Sequence, residues 1–196
     1  MVCEQTEHED PRVTRTRELI EKAFYELLME KSLQALTIGD ITDRARINRS
    51  TFYAHFEDKY ALYRHMVRNT FEQIFLKTLA DRWNDREAQL RAIVHATCLF
   101  FQELNAACPP ADRQTRPLVE VEVQQQIQAY LLCWLNQAEK KRSTLPAPPA
   151  LTAKMVSWAI FGAGLDWEGP YQSVDTLAEQ IYGTIAPMIA EATKRA

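Results

Sequence analysis

Apolar residues recur every three or four positions along nearly the whole chain, and that period predicts helices. Val13, Ile20, Ala23, Phe24, Leu27 and Leu28 form one such stripe, with charge on the opposite face. They predict a helix ending near Lys31, capped by Asp10 or Thr14. Two short helices follow, over 38–45 and 49–55, separated by a break at 46–48. Thr37 is suited to cap the first, and Asp40 three residues on approximates a capping box. Ile38, Ile41 and Ala45 make its buried side. Asn48 is a cap candidate for the second, which Phe52 and Phe56 anchor. A long amphipathic helix is predicted from Asp58 to about residue 83, through Leu62, Met66, Phe71, Phe75 and Leu79. Leu90, Ile93, Val94, Thr97, Cys98, Phe101 and Leu104 set the next, which Cys108-Pro109-Pro110 stops. Pro117 opens a helical segment reaching about residue 142. A proline-rich loop over 143–149 precedes two last helices, about 150–167 and 173–194. The pattern offers no strand. The expected fold is all-α with about nine helices: a three-helix N-terminal part over 11–58 and a larger helical bundle over 59–196, with residues 1–10 as a disordered tail.

Composition agrees with this and excludes little: 46% of the residues are apolar, 25% are charged and five are glycines. The distribution of charge says more than the net value of −3. Residues 1–10 carry four acids, whereas 11–68 hold eleven Lys/Arg against eight Asp/Glu, a net +3. An acidic tail thus masks a mildly basic segment, the sign a polyanion would favour. Cys3, Cys98, Cys108 and Cys133 have no zinc-binding spacing, and Cys98 and Cys133 read as buried thiols. No metal site or cofactor is expected. No signal peptide or membrane-spanning apolar run is visible, so the cytoplasm is the expected location.

Two short helices joined by a three-residue break and braced by a longer one make a helix-turn-helix pattern. Its first helix crosses the DNA backbone, and its second presents N-terminal residues to the major groove. The residues sharpen that reading. The run from Leu36 to Lys59, LTIGDITDRARINRSTFYAHFEDK, with the preceding helix from Thr14 to Lys31 and the continuation Tyr60-Ala61-Leu62, closely resembles the DNA-binding signature of the TetR family of bacterial regulators. The resemblance covers roughly residues 14–65; beyond it, only Trp158-Ala159-Ile160-Phe161-Gly162-Ala163-Gly164 echoes the penultimate helix of many members.

The resemblance implies roles residue by residue. Thr37 and the helix end it caps suit a phosphate oxygen. Thr51 and Tyr53 direct hydroxyls at phosphates, and Lys59 adds a cationic phosphate contact; such contacts position the protein without reading sequence. Arg49 and Ser50 are the candidates for base edges, with Asn48 and His55 behind them. His55 is equally a solvated helix-end histidine. Phe52, Phe56, Ile38, Ile41 and Ile47 read as core, and Arg44 and Arg46 as exposed. Two positions depart from the family pattern. Arg46 stands where the tight turn often has glycine, and Ala54 is small where a bulkier or charged residue is common.

For the remainder the family implies a homodimer, an effector-binding domain and a pseudo-palindromic double-stranded operator. Val174, Leu177, Ala178, Ile181, Ile185 and Met188 stripe the last helix, and Ala159, Gly162, Ala163 and Gly164 would let another helix approach closely. From these, Ala159, Gly162, Ala163, Leu177, Ile181, Ile185 and Met188 are the expected dimer interface. Pro187 should kink the last helix. Phe71, Phe75, Phe101, Trp134 and Trp158, with Trp83, Phe100, Tyr130 and Phe161, could line a pocket for a small apolar or aromatic effector, or simply form core; His95 and Glu122 are candidate polar anchors. The expected function is a repressor released by such an effector; the alternative is a regulator, activators included, under the control of a protein partner. No nucleophile–base pair or phosphate-binding glycine loop marks an enzyme.

Overall fold

The computed structural model describes residues 10–79, 85–107, 115–139, 147–165 and 173–189. The tail at 1–9, Cys3, Trp83, the Cys108-Pro109-Pro110 stop, most of the 143–149 loop and the end of the last predicted helix lie outside the described residues. Within them there are eight α-helices, one closing 3-10 turn and no strand. The helices are α1 (Pro11–Glu30), α2 (Ile38–Ala45), α3 (Arg49–Tyr53), α4 (Lys59–Leu79), α5 (Arg86–Ala107), α6 (Arg116–Glu139), α7 (Pro149–Leu165) and α8 (Val174–Ile185).

Backbone contacts divide the chain into two compact units: 10–67 with 115–119, and 68–107 with 120–189 among the described residues. The division falls inside α4, some ten residues later than the 58/59 boundary expected from the sequence.

The first unit is built from local signals. Asp10 accepts the Arg12 N–H at 2.9 Å and Pro11 sets the first turn of α1. Ile20, Phe24 and Leu27 then meet Leu33, Leu36, Ile41, Phe52, Phe56 and Leu62 in one core. Burying each large side chain is worth roughly 1.5–3 kcal/mol, so this core holds α2 and α3, which are too short to persist alone.

The second unit centres on α5, which packs against α7 and α8. Edge-on rings link Phe71 to Phe100, Phe100 to Phe101, and Phe101 to Phe161. Gly164 lets α7 close on α5: a Cβ there would stand 3.2 Å from the Phe101 ring. Gln124 on α6 donates to the buried Ser157 hydroxyl of α7 at 3.2 Å. Cys98 is fully buried, and burial pushes its thiol pKa up to about 12. Cys133 is half-buried and disulfide-bonded, which corrects its reading as a buried thiol. Around Pro187 the chain does not continue as a kinked α-helix. It leaves α8 at Ile185 and tightens into the 3-10 turn Ala186–Ile189, because proline has no N–H to donate back to Gly183.

Candidate nucleic-acid interface

The helix-turn-helix is assembled by three local devices. The first is a full capping box on α2. Thr37 Oγ1 accepts the Asp40 N–H at 3.2 Å, and the Asp40 carboxylate accepts the Thr37 N–H at 2.8 Å and its hydroxyl at 2.7 Å. Lys31 Nζ stands 2.7 Å from the same carboxylate. Lys31, then Thr37, hold the Asp40 pKa far below the ordinary carboxylate range.

The second device is the turn. Arg46 ends α2 in the left-handed region, at φ 55° and ψ 46°, and is the one non-glycine residue with positive φ among those described. Its N–H and that of Ile47 return to carbonyls of the last turn of α2, Ile47 to Thr42 at 3.0 Å. This is the backbone a turn glycine would adopt freely, so the departure at Arg46 changed the residue and left the turn geometry in place.

The third device fixes the recognition helix. Phe52 is fully buried, and its ring meets Phe56 at 6.0 Å and Tyr53 edge-on at 5.7 Å. α3 ends at Tyr53, two residues short of the expected end at His55, and turns continue to the start of α4.

These devices sort the expected contact residues. Arg49, Ser50, Asn48 and Tyr53 are exposed, Tyr53 by 56%. Thr51 and His55 are half-buried. Asn48 is at the cap position of α3 without making a side-chain cap. The cations divide in the same way. Arg44 is tied to Glu30 at 3.0 Å and to Glu26 at 3.5 Å. Lys59 Nζ donates to the Gln34 and Leu36 carbonyls at 3.0 and 2.7 Å, pinning the turn before α2 to the start of α4. Lys59 therefore has a fold-holding role the sequence did not signal, with one of its three N–H groups left for another acceptor. Arg49 has no ion pair among the described residues. Its guanidinium lies across Gly39 instead.

The other expected sites fall in the second unit. Phe71, Phe75, Phe101 and Trp134 are buried there, and Tyr130 stacks on Phe75 at 4.6 Å and on Phe71 at 6.2 Å. Trp134 is clamped: its ring N–H donates to the Arg86 carbonyl, and the Arg86 guanidinium covers its ring at 4.3 Å. The cavity beside Phe75, Tyr130 and Trp134 measures only about 10 Å³. Trp158 is 54% exposed and is not among the residues lining that space. Both candidate anchors are engaged, His95 with Asp175 at 2.7 Å and Glu122 with Arg68 at 2.8 Å.

Ile181 and Ile185 are buried within the single chain and Leu177 is half-buried, whereas Ala159, Ala163 and Met188 are exposed and Gly162 faces open space. Leu151, Met155 and Trp158, each about half exposed, extend that apolar face along α7. Periodicity could not single it out, because α7 is apolar on every side.

A capped α2, a left-handed turn and a short α3 with its N-terminal residues exposed define a helix-turn-helix DNA-binding domain. Residues 13–66 match the model of the family described as bacterial regulatory proteins, tetR family. The uncharacterized HTH-type transcriptional regulator YxbF of Bacillus subtilis (strain 168) is 44% identical over 66 residues, covering 33% of this chain and 17% of that protein. The HTH-type dhaKLM operon transcriptional activator DhaS of Lactococcus lactis subsp. lactis (strain IL1403) is 30% identical over 91 residues, covering 45% of this chain and 48% of that one. The matched segments thus span less than half of either relative. Beyond this domain the likeness is one of fold. The crystal structure of a putative TetR-family transcriptional regulator from Rhodococcus sp. superposes with a TM-score of 0.59 at 14% identity, covering 89% of this chain and 98% of that one. No helix among the described residues is long and apolar enough to cross a membrane.

Proposed function

We propose that this chain is a sequence-specific, double-stranded-DNA-binding transcriptional regulator that acts as a homodimer on a pseudo-palindromic operator. The carrying observation is the exposed Arg49, which has no ion pair among the described residues, at the N-terminus of a recognition helix whose own position is fixed by Phe52 and Phe56. Arg49 and Ser50 read base edges. Thr51, Tyr53 and the remaining N–H of Lys59 meet phosphates, as does the capped start of α2 at Thr37.

The dimer forms through the α7 face of Leu151, Met155, Trp158, Ala159, Gly162 and Ala163, with Met188. Support comes from its exposure and from the open space at Gly162. Two recognition helices about 34–36 Å apart would then enter successive major grooves.

The test is a gel shift of the full chain against duplex DNA from upstream of its own coding region. Tight binding that weakens steeply with salt is expected. Arg49→Ala should lose roughly 1–3 kcal/mol of discrimination at one base pair per half-site. Equal specificity in the Arg49→Ala protein sinks the base-reading role, and no binding at low salt sinks the function.

Control of DNA binding has two readings. In the first, a small apolar or aromatic effector enters among Phe71, Phe75, Tyr130 and Trp134 and releases a repressor from its operator; the aromatic lining supports it. In the second, a protein partner controls the regulator. The small space beside that cluster, about 10 Å³, supports this one, whereas a cavity of about 180 Å³ among Leu79, Ala92, His95 and Tyr182 supports the first. Calorimetry against a panel of flat aromatic compounds separates them, since heat of binding with a matching loss of DNA affinity requires the first.

A further inference from the structure

Gly39 is conspicuous in α2. Glycine is the poorest helix former after proline, and α2 has eight residues with which to hold itself together. No glycine among the described residues has positive φ, so the backbone at Gly39 does not call for one. The space does. A Cβ at Gly39 would stand 3.0 Å from Nη2 and 4.0 Å from Cζ of Arg49, and 3.5 Å from Thr37 Oγ1. The room where a side chain would be is occupied by the guanidinium of the arginine three residues beyond the left-handed turn.

We propose that Gly39 is a specificity-determining position: it provides the seat that holds Arg49 against the first turn of α2 and sets the direction from which its guanidinium meets a base edge. The inference rests on the reading of this domain as a DNA reader and adds a residue to it. A long arginine side chain has many rotamers, and a bidentate contact to guanine needs one orientation of a planar group. A wall on one side, made by backbone at Gly39 and by Thr37, removes the alternatives before DNA arrives and so lowers the ordering cost of the contact. Asp40 is taken by Lys31 and Thr37, and Glu30 and Glu26 are taken by Arg44.

A methyl group at Gly39 meets the far end of a flexible side chain, so Gly39→Ala should fold normally, and alanine favours the helix. Its effect is to displace the guanidinium. Stability is then expected to hold or rise while discrimination falls, a combination that a purely structural role would not give.

The test is selection of the full-length protein on a pool of duplex DNA with a randomised core, with the bound fraction sequenced. Wild type, Arg49→Ala, Gly39→Ala and the double variant are compared, together with thermal melts and affinity for an unselected duplex. The wild type should select a half-site in which Arg49→Ala flattens one position. Gly39→Ala should lose about five- to tenfold of preference at that same position. Its affinity for the unselected duplex should stay within about twofold, and the double variant should match Arg49→Ala alone. Selection by Gly39→Ala of the wild-type motif with the same base ratios overturns the inference, as do losses that add in full to those of Arg49→Ala. A wild type that selects no motif, or an Arg49→Ala protein that selects the wild-type motif, overturns the underlying reading as well, and the two failures are told apart by the wild-type and Arg49→Ala pools.

Discussion

Arg46 occupies a backbone conformation that costs an L-residue roughly 1–2 kcal/mol relative to its ordinary regions. Arg46→Gly should therefore stabilise the protein by about 1 kcal/mol and raise its melting midpoint by roughly 2–4 °C; an unchanged or lower midpoint in a thermal melt would mean that the arginine side chain more than offsets its own strain. Asp40 makes a pH prediction. Lys31 and Thr37 depress its folded-state pKa below the unfolded value of about 3.9. Its contribution to stability is thus complete above that value and disappears as pH falls through the lower, folded one. The urea midpoints of wild type and Asp40→Asn should differ at pH 6 and converge towards pH 2. Cys98, with its thiol raised to about 12 by burial, should resist a thiol reagent at pH 8 in the native protein. Mass mapping of the labelled chain checks this, with reaction at Cys98 expected only on unfolding.

Elements differ in how far their own residues specify them. The capping box of α2, and Asp10 as one of two cap candidates for α1, were legible because the chemistry lies within three residues. Thr37→Ala should accordingly cost about 1 kcal/mol, read as a lower urea midpoint, since it leaves the Asp40 N–H without its acceptor. The apolar stripes of α1 and α4 were legible for the same reason. Contacts between distant residues were not. Lys59 reaches carbonyls 23 and 25 residues away, and its position matched a phosphate contact without revealing this second task. The seat of Arg49 at Gly39 was hidden because spacing along a chain cannot show which side chain fills a missing Cβ. On α7, the exposure of Trp158 was hidden because apolar residues recur around that helix and periodicity assigns it no single face. On α8, Ile181 and Ile185 matched an interface stripe and prove to be buried within one chain.

At the scale of the whole molecule the exposed α7 face is the feature most open to test. Met155→Asp with Trp158→Asp should convert the proposed dimer to a monomer in sedimentation experiments. Operator affinity should fall by far more than either substitution could cause directly, because each half-site then binds alone. A double variant that stays dimeric would move the interface elsewhere. In the effector reading, the aromatic cluster of the second unit would govern time as well as occupancy. A cavity of about 10 Å³ beside Phe75, Tyr130 and Trp134 has room for no more than a water, so any small molecule bound there must wait for the rings to part. Its observed rate of association would level off with rising concentration at the frequency with which the protein opens. The promptness of the transcriptional response would then be set by the breathing of Tyr130 between Phe71 and Phe75, and no increase in the amount of inducer would hasten it.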